Sequence, residues 1–184
     1  LPMYEQRSTP ADPGITHFTI GRNEDPLSKI EDFAAAIDAG AATGANVALM
    51  KLCYIDFKAD TNVGQIADAY ISTLDALGKR HPDTVFVAVT APLTTVQTGP
   101  KAWLKKLLGK QPGQYAENNR RGEFNRIIRE HYGSSARLFD LARIEAEAGG
   151  TRMTGRTAES SMETLDPTLT DDGGHLNARG QLLV

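Results

Sequence analysis

The chain has 184 residues, a formal charge of -3 and 40% hydrophobic residues, so one domain around one core is the expected organisation. No apolar run approaches the roughly 20 residues needed to cross a bilayer, and the mild, mixed charge argues against a nucleic-acid partner. Cys53, the single cysteine, excludes an intramolecular disulfide and a thiolate zinc cluster and leaves the redox compartment open.

Residues 1–14 carry Pro2, Pro10 and Pro13 among polar neighbours without a period of two or 3.6, and read as an extended arm. ITHFTI, Ile15 to Ile20, is β-branched and aromatic and ends at Gly21, which fits a short strand running into a tight turn. Asp25 before Pro26 marks a helix start, and Ile30, Phe33, Ala34 and Ile37 recur at helical spacing as far as Gly40. After a Gly/Ala-rich turn, VALMKLC, Val47 to Cys53, reads as a buried parallel strand.

Val63, Ile66, Ala67, Tyr70, Ile71, Leu74 and Leu77 form the next helical stripe, ended by Gly78 and His81-Pro82. TVFVAVT, Thr84 to Thr90, is the strongest strand signal. Residues 91–114 are a long insert, long enough to be functional or mobile, in which KAWLKKLLGK suits a short basic helix. That helix fits a solvated flap packed on the domain, a lid over a substrate, or a surface that touches lipid. A further helix spans roughly Ala116 to His131 before Gly133, and RLFDL, Arg137 to Leu141, reads as a short strand. Strand and helix thus alternate, which predicts an α/β fold with a central parallel sheet and ligands at the carboxyl ends of its strands. The glycine-rich segments fit neither a phosphate loop nor a dinucleotide fingerprint.

The segment DGGHLN, Asp172 to Asn177, places a carboxylate three residues before an imidazole on a glycine-containing turn. A carboxylate that accepts from one ring nitrogen fixes the tautomer and leaves the other nitrogen free to take a proton from a serine hydroxyl. The alternative from spacing alone is a polar turn with His175 incidental on the surface. The segment follows the last expected strand and runs on as HLNARG into a final helix, which favours the functional reading.

DGGHLNARG resembles the last block of the SGNH (GDSL-like) hydrolases, in which the Asp and His of a D-x-x-H motif serve a distant serine. ITHFTIGRNEDPLSKIEDF, VALMKLCYIDF, TVFVAVTAPL and LFDLARIEA extend the resemblance, in family order, from about Ile15 to Gly180. The resemblance implies a three-layer, flavodoxin-like sandwich over 1–184 and a serine esterase acting on an O-acyl ester, such as a carbohydrate acetyl ester. It makes His175 the general base and Asp172 its orienting carboxylate, and implies no cofactor and no metal. Gly21, after the second strand of the family order, matches an oxyanion donor by position, and Asn23 is the candidate side-chain amide.

The resemblance is incomplete in two places. Tyr54, Ile55 and Asp56 stand where the family carries G-x-N-D. No GDS-like block precedes Ile15, and Ser8, in QRSTPAD, has no apolar strand before it. The nucleophile and its strand are therefore expected upstream of Leu1, with trimming at both ends. A non-catalytic carbohydrate-binding relative, or an inactive truncated one, is the alternative. Cys53, His17, His81, His131 and Asp56 read first as structural residues, and no His spacing suggests a metal. A soluble protein is expected; secretion or a periplasmic address, oligomeric state, acyl group and acceptor are left open.

Overall fold

Three parallel strands form the sheet that organises the chain: β3 (Val47–Met50), β4 (Val85–Val89) and β5 (Leu138–Phe139), in that order, with Leu49 opposite Val87 and Val89 opposite Phe139. The structure, a computed structural model, describes residues 3–5, 14–97, 113–147, 154–156 and 161–184, with positions 100, 104, 107 and 108 besides. Ahead of the sheet, β1 (Met3–Glu5) and β2 (Ile15–His17) pair in parallel. The arm expected over 1–14 thus supplies a strand, too short at three residues to show a period of two. β2 stops at His17, short of the expected Ile20.

Helices make the crossovers, as parallel pairing requires. α1 (Pro26–Ala36) is capped by Asp25, whose carboxylate accepts from the Ser28 amide at 3.1 Å, and widens into a π turn, Ile37–Ala41, around Gly40 at φ +102°. α2 (Val63–Arg80) is capped by Asn62 and passes through Gly78. A glycine costs a helix only about 1 kcal/mol, whereas Pro82 cannot be joined to one without distortion, so the proline sets the end. α3 (Tyr115–Tyr132) follows the insert, and α4 (Leu141–Glu147) begins where the expected strand RLFDL was to end. An antiparallel hairpin, β6 (Thr154–Arg156) and β7 (Ser161–Glu163), and a one-turn helix α5 (Ala178–Gln181) complete the chain.

Alternation along the strands decides what is buried. Ala48, Met50, Phe86 and Ala88 pack with Ile30 and Phe33 of α1, Leu74 and Leu77 of α2, and Phe124 and Ile128 of α3. Their neighbours Val47, Leu49 and Val85 are 52%, 54% and 48% exposed. The strand expected to be buried over 47–53 is therefore covered on one face and open on the other among the described residues. The architecture is α/β, a small parallel sheet flanked by helices.

A second cluster, Leu93, Ala142, Ala146, Leu165 and Leu169 with Leu176 against it, joins the loop after β4 to α4 and the C-terminal segment. Arg129 adds to this, donating to Asp140 and, at 2.8 Å, to Glu163 of β7. The helix expected in KAWLKKLLGK lies mostly outside the described residues; Leu104, Leu107 and Leu108 within it are exposed. No helix among the described residues is long and apolar enough to cross a membrane.

Candidate active site

Asp172 organises the loop that follows the 3-10 turn Pro167–Leu169. Its Oδ1 accepts from the amides of Gly174 (2.9 Å) and His175 (2.8 Å) and from the Thr170 hydroxyl (3.2 Å), while Oδ2 meets His175 Nδ1 at 2.6 Å. The His175 ring hydrogen bond, followed by these two amides, holds the Asp172 carboxyl far below the usual carboxylate range. An ionised acceptor at Nδ1 selects the tautomer with its proton there and leaves a lone pair on Nε2, across the ring from Asp172. The side chains are 72% and 57% exposed for His175 and Asp172.

The loop is fastened at both ends. The Thr95 amide donates to the Gly173 carbonyl at 2.9 Å, and Gly173, at φ +89°, has no room for a Cβ beside Thr95 Oγ1. Beyond it, the Asn177 side chain caps α5 through the Gly180 amide and donates to the Thr168 carbonyl. The final helix that HLNARG suggested is α5, and it anchors the loop carrying Asp172 and His175.

Facing Nε2 is Tyr54, the first residue of the 3-10 turn Tyr54–Asp56 at the carboxyl end of β3. Its hydroxyl lies 3.4 Å from His175 Nε2, and the two rings meet edge to face with centroids 5.4 Å apart. Burial first, then the charges of Cys53 and Asp172, push the Tyr54 phenol above its ordinary value. Gly174 lies against this ring, where an added Cβ would stand 3.0 Å from Tyr54 Cζ.

Beneath Tyr54 lies a polar network that the sequence reading did not anticipate. Arg121 of α3 is 1% exposed; it donates to the Tyr54 carbonyl (2.8 Å), to Thr94 Oγ1 (2.7 Å) and twice to Asn118 Oδ1. Burial brings its guanidinium down to about 10, still protonated at neutral pH. Asn118 clamps Thr94 through both amide and carbonyl, and Asn125 does the same to Ala91. The signal was present in the spacing: residues 118, 121 and 125 fall on one helical face, polar positions beside the apolar stripe of Phe124 and Ile128.

Gly21 and Asn23 sit in the loop between β2 and α1. The Gly21 amide donates to Asp32 Oδ2 at 2.8 Å, and a Cβ on Gly21, at φ +50°, would strike the Lys29 backbone. Asn23 Oδ1 accepts from Lys29 Nζ at 3.1 Å. Lys29 also donates at 2.8 Å to both oxygens of Asp56, which accepts from the Cys53 and Glu24 amides as well. Through Asp56 this loop is joined to the turn that carries Tyr54. Asp56, read from the sequence as structural, caps this turn and is the buried counter-ion of Lys29. Cys53 is half-buried, and His81 and His131 pair with Asp38 and Asp75.

Ser8 lies outside the described residues. Among the described residues no cluster of three or more His, Cys, Asp or Glu side chains could hold a metal ion. A cleft of about 210 Å³ borders Glu24, Asp56 and Lys58, and another lies between Asp75, Phe86 and Arg137; neither is lined by Asp172 or His175.

No family model and no curated protein matches the chain. A solved structure from Streptococcus pneumonia, provisionally described as a platelet activating factor, is similar to it at 12% identity and a TM-score of 0.55. The match covers 94% of this chain and 69% of that one. At that identity the likeness bears on the fold alone, and it agrees with an α/β arrangement of a small parallel sheet flanked by helices.

Proposed function

We propose that this chain supplies the general base and its orienting carboxylate to a serine esterase of the SGNH type, acting on an O-acyl ester such as a carbohydrate acetyl ester. The observation that carries the reading is the Asp172–His175 pair, with Oδ2 at 2.6 Å from Nδ1 and Nε2 left on the side of the Tyr54 hydroxyl, 3.4 Å away. An imidazole so oriented takes a proton from a serine hydroxyl as it attacks the ester carbonyl, and returns it to the departing alcohol. Water then repeats the sequence on the acyl-serine, while ionised Asp172 stabilises the imidazolium each time.

The nucleophile is assigned to a serine outside the sequence given, on a strand added beside β3. β3 pairs with β4 along one edge, and its other edge has no strand partner among the described residues. A parallel strand there would run out at the same end as Tyr54. It would also extend the sheet toward the sandwich of the family, with its further layer over Val47, Leu49 and Val85.

A serine-reactive phosphonate applied to the full-length protein tests this. Labelling of a serine that is suppressed in His175→Ala supports it; labelling indifferent to that substitution removes the mechanism. A non-catalytic binding relative is the second reading, favoured by the fact that the hydroxyl facing Nε2 belongs to tyrosine, and it predicts no labelling at all.

A further inference from the structure

We propose that the Tyr54 hydroxyl is the side-chain donor to the oxyanion of the acyl ester, a role that rests on the esterase reading above. Tyr54 opens the 3-10 turn that follows β3, at the carboxyl end of that strand. Its hydroxyl lies on the Nε2 side of His175, across the ring from Asp172. A nucleophile served by Nε2 must bring its oxygen to roughly 2.6–3.2 Å from that nitrogen. The carbonyl under attack is then one bond further on, in the space that the phenol borders. At 3.4 Å the hydroxyl is beyond the usual range for a strong bond to Nε2, so it is not committed to the base.

The phenol is held as a donor to a developing charge must be, before the charge appears. Arg121 grips the Tyr54 carbonyl from below, and Asn118 and Thr94 fix Arg121 in turn. From the side, Gly174 lets the loop of the base close on the ring itself, so that base and donor share one wall. A phenol keeps its proton at neutral pH in any case, and burial moves Tyr54 further in that direction.

In the reaction the serine oxygen bonds to the carbonyl carbon, its proton passes to Nε2, and the carbonyl π pair moves onto oxygen, where Tyr54 donates. Collapse restores the carbonyl, breaks the bond to the alcohol oxygen and gives that oxygen the proton from His175. Tyr54 keeps its own proton throughout.

Hydrolysis of p-nitrophenyl acetate by the full-length protein tests this, with Tyr54→Phe and His175→Ala as variants. Tyr54→Phe preserves the ring against Gly174, so melting is expected within about 2 °C of the parent, on the order of 1 kcal/mol. Its kcat is expected to fall roughly 100-fold or more, as for loss of one oxyanion donor, with KM little changed. A second readout excludes a merely structural part: the preference for the oxo ester over its thiono counterpart, which binds a hydroxyl donor poorly, is expected to shrink in Tyr54→Phe. If kcat stays within about threefold of the parent while His175→Ala is inactive, this role falls and the esterase reading stands. If the parent neither hydrolyses the ester nor reacts with the phosphonate, the reading itself falls and takes the role with it.

Discussion

Glu145 should make the stability of this protein depend on pH in a way that one substitution removes. It is 2% exposed on α4, and its Oε2 accepts from the Leu93 amide at 2.6 Å. Burial raises its carboxyl from 4.5 to about 7, against the opposing pull of the Leu93 amide, Lys51 and Arg121. Because the folded value is the higher one, the native state holds a proton that the unfolded chain releases. The contribution is complete below about pH 4.5 and is lost as pH rises through about 7. The difference corresponds to roughly 3 kcal/mol. Glu145→Gln keeps an acceptor for Leu93 and does not titrate. In urea unfolding the variant should match the parent within about 1 kcal/mol at pH 5 and exceed it by roughly 2–3 kcal/mol at pH 8, other groups cancelling in the difference. A stability difference that is the same at both pH values would refute the reasoning.

Lys29→Met leaves Asp56, whose side chain is fully buried, without its cation, and should cost roughly 3–5 kcal/mol in chemical denaturation; a loss under about 1 kcal/mol would show the pair relaxes or hydrates. Gly173→Ala combines a φ of +89° with a Cβ 2.8 Å from Thr95 Oγ1 and should lower stability by about 1–3 kcal/mol. Gly44→Ala, at φ +77° in open space, should cost less in the same melting experiment, and equal losses would put the whole effect in the backbone. Asp172→Asn keeps acceptors for the loop amides but loses the ionised partner of Nδ1. Ester hydrolysis should drop by roughly three orders of magnitude with the fold intact, and a loss under tenfold would mean that His175 needs no orienter. In the parent, ionised Asp172 contributes above its ordinary carboxylate range, and that contribution is lost as pH falls below about 4, read in acid unfolding.

What was legible in the chain was what short-range physics writes there. The helix capped by Asp25 and the one striped from Val63 to Leu77 lie close to where those signals put them, and the alternating order of elements implied the parallel sheet. Ends of elements were harder to read: Gly78 was tolerated where Pro82 was not, and Leu141 opens a helix because α4 packs into the second cluster. β1, β6 and β7, three residues each, are held by pairing with a partner, which no local pattern encodes. The Asp172–His175 pair was visible because three residues on one turn bring its members together. Tyr54 and Arg121 were not, since 121 residues separate Tyr54 from His175 and 67 separate it from Arg121; only the sheet and α3 bring them to one wall.

The most direct test of the base and its orienter is the rate of ester hydrolysis by the full-length protein with His175 present and absent. Turnover of p-nitrophenyl acetate above background is expected, reduced in His175→Ala by roughly a thousandfold or more with melting unchanged. Turnover that persists in His175→Ala at the parent's rate would contradict it.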